Sequence, residues 1–246
     1  MTRSIKVIFS IILLFGSLGG FSQPPKKSIK EKEKTIYFFS GIGADSSAFV
    51  NLKLPGYHKV YITWIPQLAN ESLTHYAGRI KSQVTAKNPY IIGLSFGGMV
   101  AVEVSKQIEV DKMVLISSAK TKYEIDRFQS FFMRLGLYKI IPGSLLKHPN
   151  FLTYSYFGAR SQKDKKALMQ LLNGTNVSFF RWALKEIACW DNKVPPTRTI
   201  QINGTADRII AYRLVHPDYT IAGGGHLMVF NKADTISKII LNYLHD

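Results

Sequence analysis

Short apolar segments alternate with amphipathic helical segments from residue 35 to the end of this 246-residue chain, and few folds accommodate that order. Each apolar segment is a run of β-branched and aromatic residues, such as TIYFFS before Gly41, which is typical of a buried strand. Strands that are apolar on both faces need helices on both sides, and this indicates a mostly parallel sheet. Six strands are predicted, at 35–40, 60–65, 90–94, 112–116, 199–202 and 218–221. Three helices are predicted among and after them, at 71–84, 98–108 and 231–244.

Residues 119–196 interrupt this alternation between the fourth and fifth strands. They show no strand pattern, are crowded with Phe, Tyr and Trp, and predict helices at 123–135, 161–172 and 176–188. A segment this long and this strongly patterned is not an ordinary loop. We therefore predict a helical cap inserted after the fourth strand and packed over one end of the sheet.

The first 23 residues have the layout of a secretory signal peptide: Arg3 and Lys6, then an apolar run over 7–18, then small residues. The apolar run is shorter than the roughly twenty residues that a membrane-spanning helix needs. Residues 24–34, PPKKSIKEKEK, are predicted to be a linker, which leaves 35–246 as one domain. The expectation is export to the periplasm or the medium. An uncleaved N-terminal segment that anchors the protein to a membrane is the alternative.

Composition narrows the function classes. Hydrophobic residues make up 46% of the chain, which excludes intrinsic disorder, and the single cysteine, Cys189, excludes a disulfide framework. The formal charge of +16 falls to +14 without residues 1–23, so the positive excess belongs to the exported protein. Lys and Arg are scattered and no nucleic-acid motif is present, so no nucleic-acid partner is expected, whereas weak association with an anionic membrane surface stays open. No metal-ligand spacing and no phosphate-binding G-x-x-x-x-G-K loop occur, so neither a metal nor a cofactor is expected.

Gly93-Leu94-Ser95-Phe96-Gly97 fits the pattern G-x-S-x-G, and it lies between a predicted strand and a predicted helix. On so tight a turn the serine hydroxyl stands above the end of the sheet, and the glycines let strand and helix approach. The helix dipole favours negative charge that develops there. Ser95 is therefore the candidate nucleophile; the alternative is an ordinary serine in a tight turn.

A serine hydroxyl needs a base within hydrogen-bond reach, and the base needs an acid that orients it. His226 follows three glycines between the sixth strand and the last helix, which places it at the same end of the sheet. Asp207 follows the fifth strand, where open α/β sheets place their sites. The competing acids are Asp191, Asp218 and Glu186.

In the order Ser95, Asp207, His226, each after successive strands, the chain resembles the α/β-hydrolase superfamily over residues 35–246. The resemblance implies that Ser95 is the nucleophile, Asp207 the orienting acid and His226 the general base. It also implies an oxyanion hole made by the backbone N–H groups of Ile42 and Phe96. Two departures are Ser40, where many members carry histidine, and the short gap between acid and base.

The implied activity is acyl transfer to water by an exported serine hydrolase of the carboxylesterase, lipase or thioesterase kind. Its substrate would be a small ester, thioester or amide with an apolar acyl or aromatic part, because aromatic side chains line ligand pockets. The aromatics of the predicted cap could equally be the cap's own core. One competing hypothesis is a catalytically silent binding protein of the same fold at the cell envelope. The other is a basic surface module that binds nucleic acid or anionic envelope polymers. The oligomeric state and the exact substrate stay open.

Overall fold

A six-stranded sheet in the order β2-β1-β3-β4-β5-β6 forms the centre of the computed structural model, which describes residues 34–140 and 149–246. Every neighbouring pair in this sheet is parallel. The strands are β1 (Thr35–Phe39), β2 (His58–Tyr61), β3 (Tyr90–Leu94), β4 (Lys112–Ile116), β5 (Thr199–Gly204) and β6 (Tyr219–Ile221). The predicted signal peptide lies outside the described residues, as does the predicted linker apart from Lys34.

Nine α-helices lie in the described part of the chain. They are α1 (Leu73–Ile80), α2 (Phe96–Ser105), α3 (Arg127–Arg134), α4 (Leu137–Ile140), α5 (Phe151–Phe157), α6 (Gln162–Gly174), α7 (Val177–Cys189), α8 (Met228–Asn231) and α9 (Ala233–His245). None of these helices is long and apolar enough to cross a membrane.

Successive side chains of each central strand enter two different cores, one on each face of the sheet. Tyr37 and Phe39 of β1 pack with α1, α2 and α7, whereas Ile36 and Phe38 pack with α9 and the segment that follows β1. Alternating side chains of β3 and β4 divide between the same two cores. The predicted α/β architecture, with helices on both faces, is confirmed.

The predicted bounds are correct for β3 and β4 and wrong for β2, which lies at 58–61 and not at 60–65. As an edge strand, β2 is positioned by its pairing with β1, in which Thr35 faces His58. The apolar residues that follow, Trp64 and Ile65, leave the sheet and pack on the core formed by α1, α2 and α7.

Residues 119–196 hold the helices α3 to α7 between β4 and β5, and 141–148 are outside the described residues. We call residues 119–196 the helical insertion. The sequence predicted three helices here and missed α4 and α5. α6 ends at Gly174, and Asn176 caps α7 by accepting a hydrogen bond from the Phe179 N–H at 3.1 Å.

The strand order reverses between β1 and β3, because β2 lies on one side of β1 and the later strands lie on the other. In open α/β sheets, sites form at the carboxyl ends of strands at such a point. The loop after β1 and the turn after β3 meet there.

Candidate active site

Ser95 occupies the turn between β3 and α2. Its backbone has φ of 52° and ψ of −126°, a conformation that residues other than glycine rarely adopt. Its N–H donates to the Ile116 carbonyl of β4 at 3.0 Å. Its carbonyl accepts from the Ser118 hydroxyl at 2.6 Å and from the Gly98 N–H at 2.9 Å. Positive φ at a non-glycine residue persists only where the surroundings enforce it. These bonds to three residues hold the turn.

The glycines around Ser95 are required by space. A Cβ on Gly93 would lie 2.4 Å from the Cα of Gly98, so β3 and α2 could not approach as closely. A Cβ on Gly97 would lie 2.0 Å from the carbonyl oxygen of Ser40. Both contacts are far inside van der Waals distance and both involve backbone atoms. The pattern that the sequence showed is therefore a packing requirement of this turn.

The structure brings Ser95, His226 and Asp207 together as one hydrogen-bonded chain. Nε2 of His226 lies 2.8 Å from the Ser95 hydroxyl oxygen, and Nδ1 lies 3.0 Å from Oδ2 of Asp207. His226 and Asp207 are buried, while Ser95 is half-buried. Oδ1 of Asp207 accepts two further hydrogen bonds, from the Ile209 N–H at 2.9 Å and the Ile210 N–H at 3.0 Å. The carboxylate is thus fixed from both sides.

The loops after β5 and β6 are joined closely, and this explains how so short a gap connects Asp207 to His226. The Ala206 N–H donates to the Gly224 carbonyl at 2.9 Å, and the Thr205 N–H donates to Ile221 at 3.0 Å. A Cβ on Gly204 would lie 2.1 Å from the Gly224 oxygen. Because the two loops touch along their backbones, a short connection suffices.

The three competing acids are engaged elsewhere. Asp218 accepts from the Gln201 N–H at 2.8 Å, and Glu186 accepts from the Leu73 N–H at 2.9 Å. Asp191 pairs with Lys122 at the surface. Of the four candidates, Asp207 is the one that contacts His226.

Ile42 and Phe96, the predicted oxyanion-hole donors, both belong to segments beside Ser95. A Cβ on Gly41 would lie 3.5 Å from the Cβ of Ser95, so the loop after β1 packs directly on the serine. Within the described residues, neither the Ile42 N–H nor the Phe96 N–H donates a hydrogen bond to another group. Ser40, the departure from the family pattern, donates its hydroxyl to the Ala44 carbonyl at 2.6 Å and so holds this loop itself.

An apolar cavity of about 540 Å³ opens over Ser95 and His226. Gly41 and Ile42 form part of its floor, and the helical insertion forms its roof. The roof residues are Phe128, Phe132, Met133, Tyr156, Phe157, Leu168, Leu171, Leu172, Thr175, Phe180, Leu184 and Ile187. No Asp, Glu, Lys or Arg is among the described residues that line the cavity. We call it the apolar cavity.

Some aromatic residues of the insertion form core, and others line the apolar cavity. Phe179 and Trp182 of α7 pack on Tyr76 and on Phe96, with Phe179 5.6 Å from Trp64 between ring centroids, and so form core. The aromatic residues of the insertion that line the apolar cavity are Phe128, Phe132, Tyr156, Phe157 and Phe180. The two interpretations left open by the sequence therefore each apply to part of the set.

A buried residue, Glu71, connects α7 of the insertion to α1. Burial raises the pKa of Glu71, but hydrogen bonds from the Leu68 N–H, Arg79 and His75 outweigh it and lower the pKa below the ordinary 4.5. The distances to Oε atoms are 2.7 Å from Leu68 and 2.8 Å from Arg79. The backbone carbonyl of Glu71 accepts from Nε1 of Trp182 at 2.8 Å. Glu71 thereby fixes α7, which carries part of the cavity roof.

Some site residues had no signal in the sequence. The amides of Ile209 and Ile210 and the hydroxyl of Ser118 act through positions that only the fold defines. The ring of Phe157 stands edge-on to His226, with centroids 5.9 Å apart, although its helix α5 was not predicted. Among the described residues, no three His, Cys, Asp or Glu side chains are placed to hold a metal ion.

No protein-family model matches the chain, and no curated protein matches it in sequence. Solved structures do match the fold of this chain. MenH from S. aureus is 17% identical, with a TM-score of 0.64 over 87% of this chain and 94% of that one. A bromoperoxidase from Bacillus anthracis is 16% identical, with a TM-score of 0.63 over 87% and 92%. An esterase from Exiguobacterium antarcticum is 13% identical, with a TM-score of 0.61 over 87% and 92%. Identities this low show a shared fold, and the three proteins are named for different activities.

Proposed function

This chain has the α/β-hydrolase fold, and from the chemistry of its own site we propose that it is a serine hydrolase. The observation that carries the proposal is the chain of contacts from the Ser95 hydroxyl to His226 Nε2 at 2.8 Å and from His226 Nδ1 to Asp207 at 3.0 Å. A serine is activated by a base that an acid orients, and these distances allow both steps.

In the proposed reaction, the Ser95 oxygen attacks the carbonyl carbon of the substrate and its proton passes to Nε2 of His226. The negative charge that develops on the carbonyl oxygen faces the free N–H groups of Ile42 and Phe96. His226 then gives the proton to the leaving group, which departs and leaves an acyl group on Ser95. A water molecule, deprotonated by His226, attacks this acyl-enzyme; the acyl–Ser95 bond then breaks, the acid departs, and His226 returns the proton to the Ser95 oxygen. Asp207 keeps the imidazole in the tautomer that can accept the serine proton.

The apolar cavity supports a substrate with an uncharged acyl or aromatic part, attached as an ester, thioester or amide. A charged group placed in the cavity would lose its hydration without gaining an ionic partner from the described lining residues. Apolar groups, in contrast, gain roughly 25 cal/mol for each Å² removed from water. We propose that the helical insertion serves as the lid that completes this cavity.

We further propose that the enzyme works outside the cytoplasm, on the strength of the signal-like residues 1–23. The charge of +14 that residues 24–246 retain supports weak attraction to anionic envelope surfaces. Immunodetection in fractionated cells that produce the full chain, with and without residues 1–23, tests the export proposal. Full-length protein confined to the cytoplasm would contradict it.

Labelling with a fluorophosphonate probe tests the nucleophile directly. Wild type is expected to label, and Ser95→Ala is expected to abolish labelling because the probe bonds to an activated serine oxygen. Ser105→Ala is the matched control, since Ser105 lies at the end of the same helix and its hydroxyl donates to the Val102 carbonyl, away from His226. If folded wild type does not label, the serine-hydrolase proposal fails, and the alternative of a catalytically silent binding protein is favoured.

A series of p-nitrophenyl esters from acetyl to dodecanoyl tests the substrate class. Because the cavity is apolar, kcat/KM is expected to rise from the acetyl ester to a medium acyl chain before it declines. Activity confined to the acetyl ester would contradict the apolar-substrate proposal and leave the serine chemistry intact.

A further inference from the structure

A second cavity, of about 490 Å³, lies beside the loop that carries Asp207. Its described lining includes three cationic side chains, Arg160, Lys165 and Arg208, and we call it the basic cavity. The cations come from two separate parts of the chain, the end of the α5–α6 connection with the start of α6, and the loop after β5. We propose that the basic cavity is a binding site for a phosphate-type oxyanion, either free or on a lipid headgroup.

The first observation is that these cations have no anionic partner in the described part of the chain. Arg208 bonds to the Ser155 hydroxyl at 3.2 Å, and Lys165 lies over the Tyr154 ring at 5.5 Å from its centroid. Neither contact neutralises a charge. Arg160 forms no ion pair with any described carboxylate. Three like charges around one concavity repel each other, and a concave surface focuses their field.

The second observation is that the carboxylates nearest to these cations are already committed. Asp207 lines the basic cavity, but its side chain has no exposed surface and faces His226 and two backbone amides. Asp164, one position before Lys165, accepts from the Ser161 N–H at 3.1 Å and from Asn231 at 3.2 Å. Hydrogen bonding leaves both carboxylates charged, so three cations and two acids give the cavity and its border a formal charge of 3 − 2 = +1.

The donor set fits a tetrahedral oxyanion. Guanidinium groups offer paired N–H donors that match phosphate oxygens, and an ammonium adds a point charge. The Ser155 hydroxyl supplies a neutral donor at the same wall. Half-buried Tyr154 and exposed Phe151 add apolar surface at the rim, which suits a phosphate ester that carries an organic group.

The basic cavity is distinct from the apolar cavity. Phe157 lines the apolar cavity and stands edge-on to His226, whereas Gly158, the next residue, lines the basic cavity. Asp207 belongs to the basic cavity and His226 to the apolar one, so the two cavities flank the acid–base pair. The oxyanion site does not depend on the proposed hydrolase activity.

Thermal unfolding of the full chain in sodium phosphate, against sodium chloride of equal ionic strength, tests the proposal. A ligand that binds only the folded state at ten times its Kd is expected to raise Tm by about 3–6 °C for a chain of this size. The triple variant Arg160→Gln, Lys165→Gln, Arg208→Gln is expected to lose this rise while it unfolds normally in chloride. Cosedimentation with phosphatidylglycerol vesicles, against phosphatidylcholine vesicles, separates a lipid phosphate from a free one.

A control triple variant removes the same charge elsewhere: Lys59→Gln, Lys87→Gln and Lys238→Gln, none of which lines the basic cavity. It is expected to keep the phosphate effect, as is Ser95→Ala, which excludes phosphate bound at the serine. A phosphate-specific rise, or binding to phosphatidylglycerol vesicles, that only the first triple variant loses supports the site. The proposal is overturned if wild type responds to neither probe, or if both triple variants lose the response equally.

Discussion

Asp207→Asn is the perturbation for which the structure predicts the most specific outcome. Oδ1 of Asp207 accepts from the Ile209 and Ile210 amides at 2.9 and 3.0 Å, so the asparagine oxygen must take that position. Its NH₂ group then faces Nδ1 of His226, at the 3.0 Å position of Oδ2. Nδ1 must accept that hydrogen bond, which puts the imidazole proton on Nε2, toward the Ser95 oxygen. Such a histidine cannot take the serine proton.

The expected loss follows from that tautomer. A triad whose histidine is held in the wrong tautomer loses about 10⁴-fold in kcat, or about 5.4 kcal/mol of transition-state stabilisation. The free energy of unfolding should change far less, because asparagine has the shape of aspartate and the amides of Ile209 and Ile210 keep their acceptor. Loss of the charge on the hydrogen bonds to Asp207 is worth about 2 kcal/mol or less. The variant is therefore expected to be folded and inactive.

The assay is steady-state hydrolysis of p-nitrophenyl butyrate, with Tm measured on the same preparations. Asp191→Asn is the matched control, since Asp191 is exposed, pairs with Lys122 and has no contact with His226; it should keep wild-type kcat. If Asp207→Asn retains more than a tenth of wild-type kcat, Asp207 does not set the tautomer of His226, and this account of the site is refuted.

Two further predictions concern stability. Gly97→Ala puts a Cβ 2.0 and 2.3 Å from the backbone oxygens of Ser40 and Phe39, which cannot rotate away, so urea unfolding should show a loss of about 3 kcal/mol. Glu71→Gln should lower the free energy of unfolding by about 2 kcal/mol at pH 7, since it weakens charged hydrogen bonds. Because the folded pKa of Glu71 lies below the unfolded 4.5, its contribution is complete above that pH and is lost as the pH falls through the folded pKa.

Each of these has a matched control. Gly78→Ala, in α1, meets only the flexible end of the Gln107 side chain at 3.1 Å and should change stability by less than about 1 kcal/mol. Glu109→Gln alters an exposed acid and should change the free energy of unfolding at pH 7 by less than about 0.5 kcal/mol. A Gly97→Ala protein as stable as wild type, or a Glu71→Gln deficit that persists undiminished at the lowest pH, would contradict the packing and the linkage arguments respectively.

The central strands were predictable because burial on both faces leaves a continuous apolar run. β3 and β4 begin and end where hydropathy indicates. At the edge, β2 was misplaced because pairing with β1, and not hydropathy, sets its register. The start of α2 was predicted two residues late: the helix begins at Phe96 and not at Gly98, because packing against neighbouring backbone overrides the low helix propensity of glycine.

The candidate site residues could be chosen from the sequence because each follows a strand, and parallel strands bring their carboxyl ends to one edge. The hydrogen bonds that fix them could not be chosen in this way. Ser118 and Ile210 reach the site through contacts set by neighbouring strands and loops, which no local pattern encodes. The basic cavity was equally hidden, since the scattered Lys and Arg gave no sign that Arg160 and Arg208 would share one wall.

The positive φ of Ser95 has a consequence for anyone who engineers this chain. A non-glycine residue held in such a region costs of the order of 1–3 kcal/mol, and glycine would relieve that strain. Laboratory evolution that selects only for thermal stability would therefore favour Ser95→Gly, which unfolds at a higher temperature but lacks the Ser95 hydroxyl. Selection rounds should include a turnover screen, and gains in Tm should be sought away from this turn.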